Sequence, residues 1–193
     1  MILRALLIAA TLLATGCTTA RNAVQFGYSD ASGDDYEDSL FHLSVASYNP
    51  PGEEYSYFVE RIGFLYEIGI GIESPTGTDY TDVLGEGGAP GDAAIGPSGN
   101  VFGFTVAPTF MPTDWLAVMV GTSLWSIAGF NEFRDDDLLL DPEGRYYVEN
   151  DDSFAIGLVI GMTVFFSKES GFTATLQYDS AFDAPGFSVG WSF

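Results

Sequence analysis

From residue 22 to the end, apolar and small residues alternate in short runs broken by turn chemistry. The clearest run sets Phe154, Ile156, Leu158, Ile160, Met162, Val164 and Phe166 against Ala155, Gly157, Val159, Gly161, Thr163 and Phe165. Phe102, Phe104, Val106 and Phe110 alternate in the same way with Gly103, Thr105 and Thr109. Leu116, Val118, Val120 and Leu124 stand against Ala117, Met119, Gly121 and Ser123, and Phe172, Ala174, Leu176 and Tyr178 against Thr173, Thr175, Gln177 and Asp179. The period is 2 rather than 3.6, which predicts strands and no helix. Eight are expected, over 22–29, 39–48, 55–73, 101–111, 115–128, 153–166, 172–179 and 186–193. The third is the least regular, because Glu60 breaks the phase of Phe58, Ile62, Phe64, Tyr66, Ile68 and Ile70; a bulge or a shorter strand is expected there.

The chemistry of the second phase decides which face meets what. A water-soluble barrel with an apolar interior would carry Lys, Glu, Asp and Gln outside. Here the second phase is Gly, Ala, Ser and Thr with almost no lysine. Small residues suit the crowded interior of an eight-stranded barrel, whose lumen side chains fill. The bulky phase then faces hydrocarbon, and closure leaves no unpaired backbone edge in it. The expected fold is all-β: a single eight-stranded antiparallel up-and-down transmembrane β-barrel.

The connections alternate in length. Segments 30–38, 74–100 and 129–152 are long and acidic or rich in Gly and Pro, with 180–185 the short fourth member. Asn49-Pro50-Pro51-Gly52-Glu53-Glu54, Pro112-Thr113-Asp114 and Ser167-Lys168-Glu169-Ser170-Gly171 are tight-turn sequences. Long outer loops and short periplasmic turns put both termini in the periplasm. Aromatics near strand ends (Tyr55, Tyr57, Phe110, Trp115, Trp125, Phe166, Phe172, Tyr178, Trp191, Phe193) are expected in two interfacial girdles. In the last run, Phe187, Val189, Trp191 and Phe193 share one face, with Gly186, Ser188, Gly190 and Ser192 on the other. This resembles the closing strand of bacterial outer-membrane barrels, whose terminal Phe implies recognition by the barrel-assembly machinery. Residues 22–193 as a whole resemble the small eight-stranded family of the OmpA transmembrane domain and OmpX.

The N-terminus agrees on the compartment. Arg4, an apolar run from Ala5 to Leu13 and small residues before a lone cysteine read as a signal peptide, too short to span a bilayer. Ala14-Thr15-Gly16-Cys17 resembles a lipoprotein processing site, although Leu13 lies one position further back than the pattern prefers. The expected organisation is a signal over 1–16, acylation at Cys17, a short periplasmic segment over 17–21 and the barrel over 22–193. Cleavage after Ala20 is the rival. With a single Cys no intramolecular disulfide can form.

Charge narrows the partners. There are 27 acidic against 6 basic residues, which excludes nucleic-acid binding and adhesion to anionic head groups through basic patches. Abundant aromatics rule out a disordered acidic chain. The acids cluster instead, at Asp30, Asp34, Asp35, Glu37 and Asp38, and from Glu132 to Asp152. Outer-membrane lipids and lipopolysaccharide are the expected surroundings, with a protein partner conceivable at the loops.

Candidate chemistry is sparse. The only histidine lies in His42-Leu43-Ser44, which resembles the His-x-Ser form of lipid A deacylase barrels. In that family the pair lies late in the chain and faces lipid; here Phe41, Leu43 and Val45 claim the lipid side and turn His42 and Ser44 inward. Arg61, Glu67 and Asp179 also fall on the inward phase, so a lumenal polar network with His42 is expected. Asp135, Asp136 and Asp137 are the weak candidates for a divalent cation, without the spacing of a calcium loop. The run Asp137-Leu138-Leu139-Leu140-Asp141 either meets a partner or folds over the barrel mouth. The 74–100 loop is expected to be mobile, and it is no phosphate loop. No catalytic set and no cofactor are implied. The expected role is structural or interactive, with a lipid A- or phospholipid-modifying enzyme and a soluble, lipocalin-like ligand-binding barrel tethered by Cys17 as alternatives.

Overall fold

Alternation at period 2 puts one phase of each strand into the lumen and the other outside, and pairing every edge closes the sheet. The computed structural model describes residues 20–31, 39–51, 61–72, 75, 77–84, 88–135, 140 and 144–193. Its strands are β1 (Arg21–Asp30), β2 (Ser39–Tyr48), β3 (Ile62–Gly71), β4 (Thr78–Asp79), β5 (Ala93–Thr113), β6 (Leu116–Arg134), β7 (Arg145–Glu149), β8 (Ser153–Phe165), β9 (Gly171–Asp179) and β10 (Ala184–Ser192). Eight of them (β1, β2, β3, β5, β6, β8, β9 and β10) form a closed antiparallel barrel in which each pairs with its sequence neighbours. Closure is made by β1 on β10, from Ala23 opposite Ser192 to Ser29 opposite Gly186. Phe193 continues that ladder, exchanging backbone hydrogen bonds with Asn22.

The two phases separate as the sequence pattern requires. Phe26, Phe102, Val120, Leu124, Ile156, Leu158, Leu176 and Phe187 are exposed, and Phe154 reaches 74%. Gln25, Ser44, Thr105, Ser123, Thr163, Thr173, Thr175 and Ser188 are buried on the opposite phase. The lumen is filled. Toward the short turns, Tyr48, Leu65, Met111, Met119 and Phe165 pack with four alanines. Toward the long loops, Leu40, Val101, Trp125, Ile127 and Phe182 form a second apolar plug. The polar belt lies between them.

Three expectations need correction. The fourth and fifth strands, expected over 101–111 and 115–128, extend to Ala93 and Arg134 and form a tall hairpin beyond the rest of the wall. Asn131, Glu132 and Arg134 interrupt the apolar alternation, so this part of the strand looked like loop. β7 and β4 then add to β6, so the long loops carry sheet of their own, and a helical turn over Thr81–Leu84 lies in the segment expected to be mobile. Among the described residues of the expected 55–73 strand, β3 covers Ile62–Gly71, leaving out Arg61 and Ile72; its pairing with β2 is regular, and 55–60 and 73 lie outside the described residues. The expected break at Glu60 lies outside the described residues; the register shifts observed fall between β5 and β6, at Ala94/Gly96 and Phe110/Thr113. Finally, Trp125 belongs to no girdle. It follows the outward Leu124 and is therefore lumenal, at 1% exposure, whereas Trp115, Phe166, Phe172, Trp191 and Phe193 are exposed outside.

Candidate functional site

The belt's upper half joins four strands. His42 on β2 lies opposite Gly69 on β3, and Ser44 lies opposite Glu67, so Glu67 is the diagonal neighbour of His42 on the same face. His42 Nδ1 sits 3.1 Å from Glu67 Oε1, at ion-pair distance but out of line for a hydrogen bond. On the other side of the ring, Nε2 is 2.6 Å from Ser29 Oγ of β1. Gln177 of β9 donates its Nε2–H to Glu67 Oε1 across 2.8 Å. Ser29, His42 and Glu67 are all buried. His42 Nδ1, Glu67 Oε2 and Gln177 Oε1 have no hydrogen-bond partner among the described residues.

Asp179, at the end of β9, is served separately. Its Oδ1 accepts from Ser123 Oγ (2.8 Å) and the Ala181 N–H (2.9 Å), and its Oδ2 accepts from Trp125 Nε1 (2.9 Å). The indole meets the His42 ring edge-on at 6.1 Å and Phe182 at 5.3 Å. Gly69 and Gly103 make room for it. A Cβ on Gly69 would stand 2.2 Å from Trp125 Cη2, and one on Gly103 2.0 Å from Cε3.

The lower half of the belt is uncharged. Gln25 donates to Thr173 and accepts from Thr175 and, at 3.4 Å, from Ser44. Thr163 links Thr175 (2.7 Å) to the Tyr48 hydroxyl (3.2 Å).

Of the residues singled out in the sequence, His42 and Glu67 therefore meet and Asp179 shares their lumen. Arg61 does not join them; it is half-buried ahead of β3, at the short-turn end. Ser44 bonds Gln25, and the hydroxyl on His42 is that of Ser29, which the sequence pattern did not single out. His42 and Ser44 both face the lumen, away from the lipid side that the deacylase resemblance requires. Phe187, Trp191 and Phe193 are exposed on the outer wall, with Val189 half-buried on the same phase. Asp135 is buried, its Oδ2 accepting the Leu140 N–H at 2.6 Å. Cys17, Asp136 and Asp137 lie outside the described residues. Among those described, no three His, Cys, Asp or Glu side chains converge.

Above the wall, β4, β7 and the hairpin of β5 and β6 carry a small core of their own. Phe133 stacks on Tyr146 at 5.4 Å, Tyr80 meets Tyr146 edge-on at 5.7 Å, and Val148, Leu84, Ala89 and Leu140 pack around them. Leu140 thus folds inward rather than standing free, and Tyr80 donates its hydroxyl proton to the Leu140 carbonyl. The Tyr146 hydroxyl donates to Asp92 Oδ2 (2.9 Å) and accepts from the Ala89 N–H (2.8 Å). Asp79 caps the helical turn through the Thr81 hydroxyl and N–H, which hold its carboxyl below the ordinary range. Tyr146→Ala is expected to remove the centre of this core without touching the barrel. Limited proteolysis should then cut within 75–92 or 135–144 at least about tenfold faster, as local opening predicts, with the gel shift of the folded barrel on heating unchanged.

No family model matches the sequence, and no curated protein matches it. Among solved structures the chain is similar to Ail, the attachment invasion locus protein of Yersinia pestis, solved with the heparin analogue sucrose octasulfate: 11% identity, 91% of this chain and 97% of that one, TM-score 0.45. It is also similar to Neisserial surface protein A (8% identity, 91% and 95% covered, TM-score 0.38) and to the N-terminal β-barrel domain of Pseudomonas aeruginosa OprF (11%, 91% and 98%, 0.38). At these identities the likeness is one of fold alone.

Proposed function

We propose that the protein is an integral outer-membrane barrel without a pore, with both termini periplasmic, whose extracellular sheet is a contact surface. The observation that carries this reading is the continuous outer belt of bulky apolar side chains around a lumen filled by two plugs. Soluble proteins rarely expose contiguous apolar area beyond a few hundred Å², and this belt encircles the wall. The tethered ligand-binding alternative needs the reverse arrangement, with a hollow apolar interior. The lipid-modifying alternative needs its His and Ser at the lipid face.

Cys17 acylation remains part of the proposal as a second periplasmic anchor. Polyanion binding of the kind in the Yersinia complex is not carried over. Once Arg4 is set aside with the signal, 27 acids face five basic residues, and they concentrate at the long-loop end. No retention on heparin is expected at physiological salt.

A Cys17→Ala variant tests the membrane reading. It is expected to stay in the outer-membrane fraction and to migrate differently on gels before and after heating. Release into the soluble periplasm would overturn the reading and bring back the tethered barrel.

A further inference from the structure

The lumenal belt has an unbalanced charge. Glu67 and Asp179 are buried in it, and Arg21, at the short-turn rim, is the only buried Lys or Arg among the described residues. Its guanidinium is occupied there by the Asp114 carbonyl and the Phe165 ring. Asp179 is well solvated by three donors. Glu67 is not: it accepts one hydrogen bond, from Gln177, and keeps one oxygen unpartnered. A buried carboxylate in that position calls for a positive charge, which a protonated His42 or a bound cation would supply.

The atoms beside Glu67 describe what that charge is. Where His42 gives its Nε2 proton to Ser29, one of the two roles that the 2.6 Å contact allows, its Nδ1 lone pair faces a carboxylate oxygen, and the two repel unless a cation lies between them. Their separation is 3.1 Å, out of line for a hydrogen bond. With metal bonds of about 2.0–2.2 Å, the N···O edge of a coordination sphere spans about 2.8–3.1 Å at a right angle and about 3.3–3.6 Å at the tetrahedral angle, so 3.1 Å matches a ligand–metal–ligand angle of about 90–100°. The second unpartnered oxygen, Gln177 Oε1, is again an acceptor. An imidazole nitrogen with carboxylate and amide oxygens is a borderline donor set, suited to zinc-like ions, whereas Mg²⁺ and Ca²⁺ prefer oxygen alone. Ser29 is the outer-shell partner that such a histidine requires: its hydroxyl holds the ring from the far nitrogen.

We propose that the lumen binds one divalent cation of the zinc class through His42 Nδ1 and the Glu67 carboxylate, with Gln177 Oε1 beside it. One such ion offsets the two buried carboxylates. It ties β2, β3 and β9 together across the barrel, so it acts as an internal staple independent of the membrane reading.

Co²⁺ tests this, because its visible bands report nitrogen ligation. The barrel, refolded in mild detergent with Co²⁺ present or stripped by chelator and reloaded, is expected to take up one Co²⁺. Zn²⁺ should displace it, and excess Mg²⁺ should not. His42→Ala should abolish the bands, Glu67→Gln should weaken them, and Ser29→Ala should lower affinity by about 10–100-fold. Each variant is first checked for the heat-dependent gel shift; if His42→Ala does not fold, Glu67→Gln and Ser29→Ala carry the test. Failure to take up stoichiometric Co²⁺ under either loading overturns the proposal. So does uptake that none of the folded variants alters, which would assign the ion to the acidic loops.

Discussion

Trp125→Ala is expected to be the most damaging single substitution in the lumen. The indole is nearly fully buried in the upper plug, so its removal costs about 3–5 kcal/mol in lost transfer and cavity energy. It also strips Asp179 Oδ2 of its donor, which adds about 1–3 kcal/mol for a buried acceptor left unpaired. Trp125→Phe should recover most of the first term and none of the second. The glycines provide a second, opposite perturbation. Gly103→Ala puts a methyl into the face of the ring and is expected to cost about 1–3 kcal/mol by overpacking. In the Trp125→Ala background the same methyl enters a void, so the double variant should be less destabilised than the sum. Reversible urea unfolding of the refolded barrel measures the parent and all four variants. Strict additivity would show that Gly103 does not hold the indole.

That slot also marks the limit of what could be read in the sequence. The inward phase of each strand was legible, because a one-residue alternation admits only two choices and Gly, Ser and Thr mark the crowded side. His42 and Glu67 were therefore legible as lumenal. Their contact was not, since it depends on the register that sets Ser44 opposite Glu67. Trp125 looked like a girdle residue because it stands near a strand end and aromatics collect there; the inward neighbour Ser123 was the signal that places it correctly. The small core above the wall escaped for a different reason. Phe133, Tyr146 and Val148 lie in the most acidic stretch of the chain, where charge density masks a short apolar period. Arg61 was misjudged because inward phase says nothing of height: it stands six residues before Glu67, at the far end of the lumen from His42.

Arginine at Val120 or Ile160 is expected to separate a lipid-facing wall from a water-facing one. The two residues are directly opposed on β6 and β8, both outward and exposed. From Phe154 to Phe166 the outward phase spans twelve residue steps, about 40 Å of strand at roughly 3.3 Å per step. A tilt of about 40° reduces this to about 30 Å, the thickness of the hydrocarbon core. Ile160 stands at the middle of that run and Phe154 at its upper end. Within a bilayer, Ile160→Arg and Val120→Arg should each cost about 2–4 kcal/mol, and Phe154→Arg only about 0–1. On a wall facing water, all three would fall within about 0.5 kcal/mol of the parent, as surface substitutions do. Urea unfolding in phospholipid vesicles reads the difference directly. A cost that peaks at Val120 and Ile160 and fades toward Phe154 fits hydrocarbon on the outer face; a flat, near-zero profile removes the physical basis for a membrane-spanning barrel.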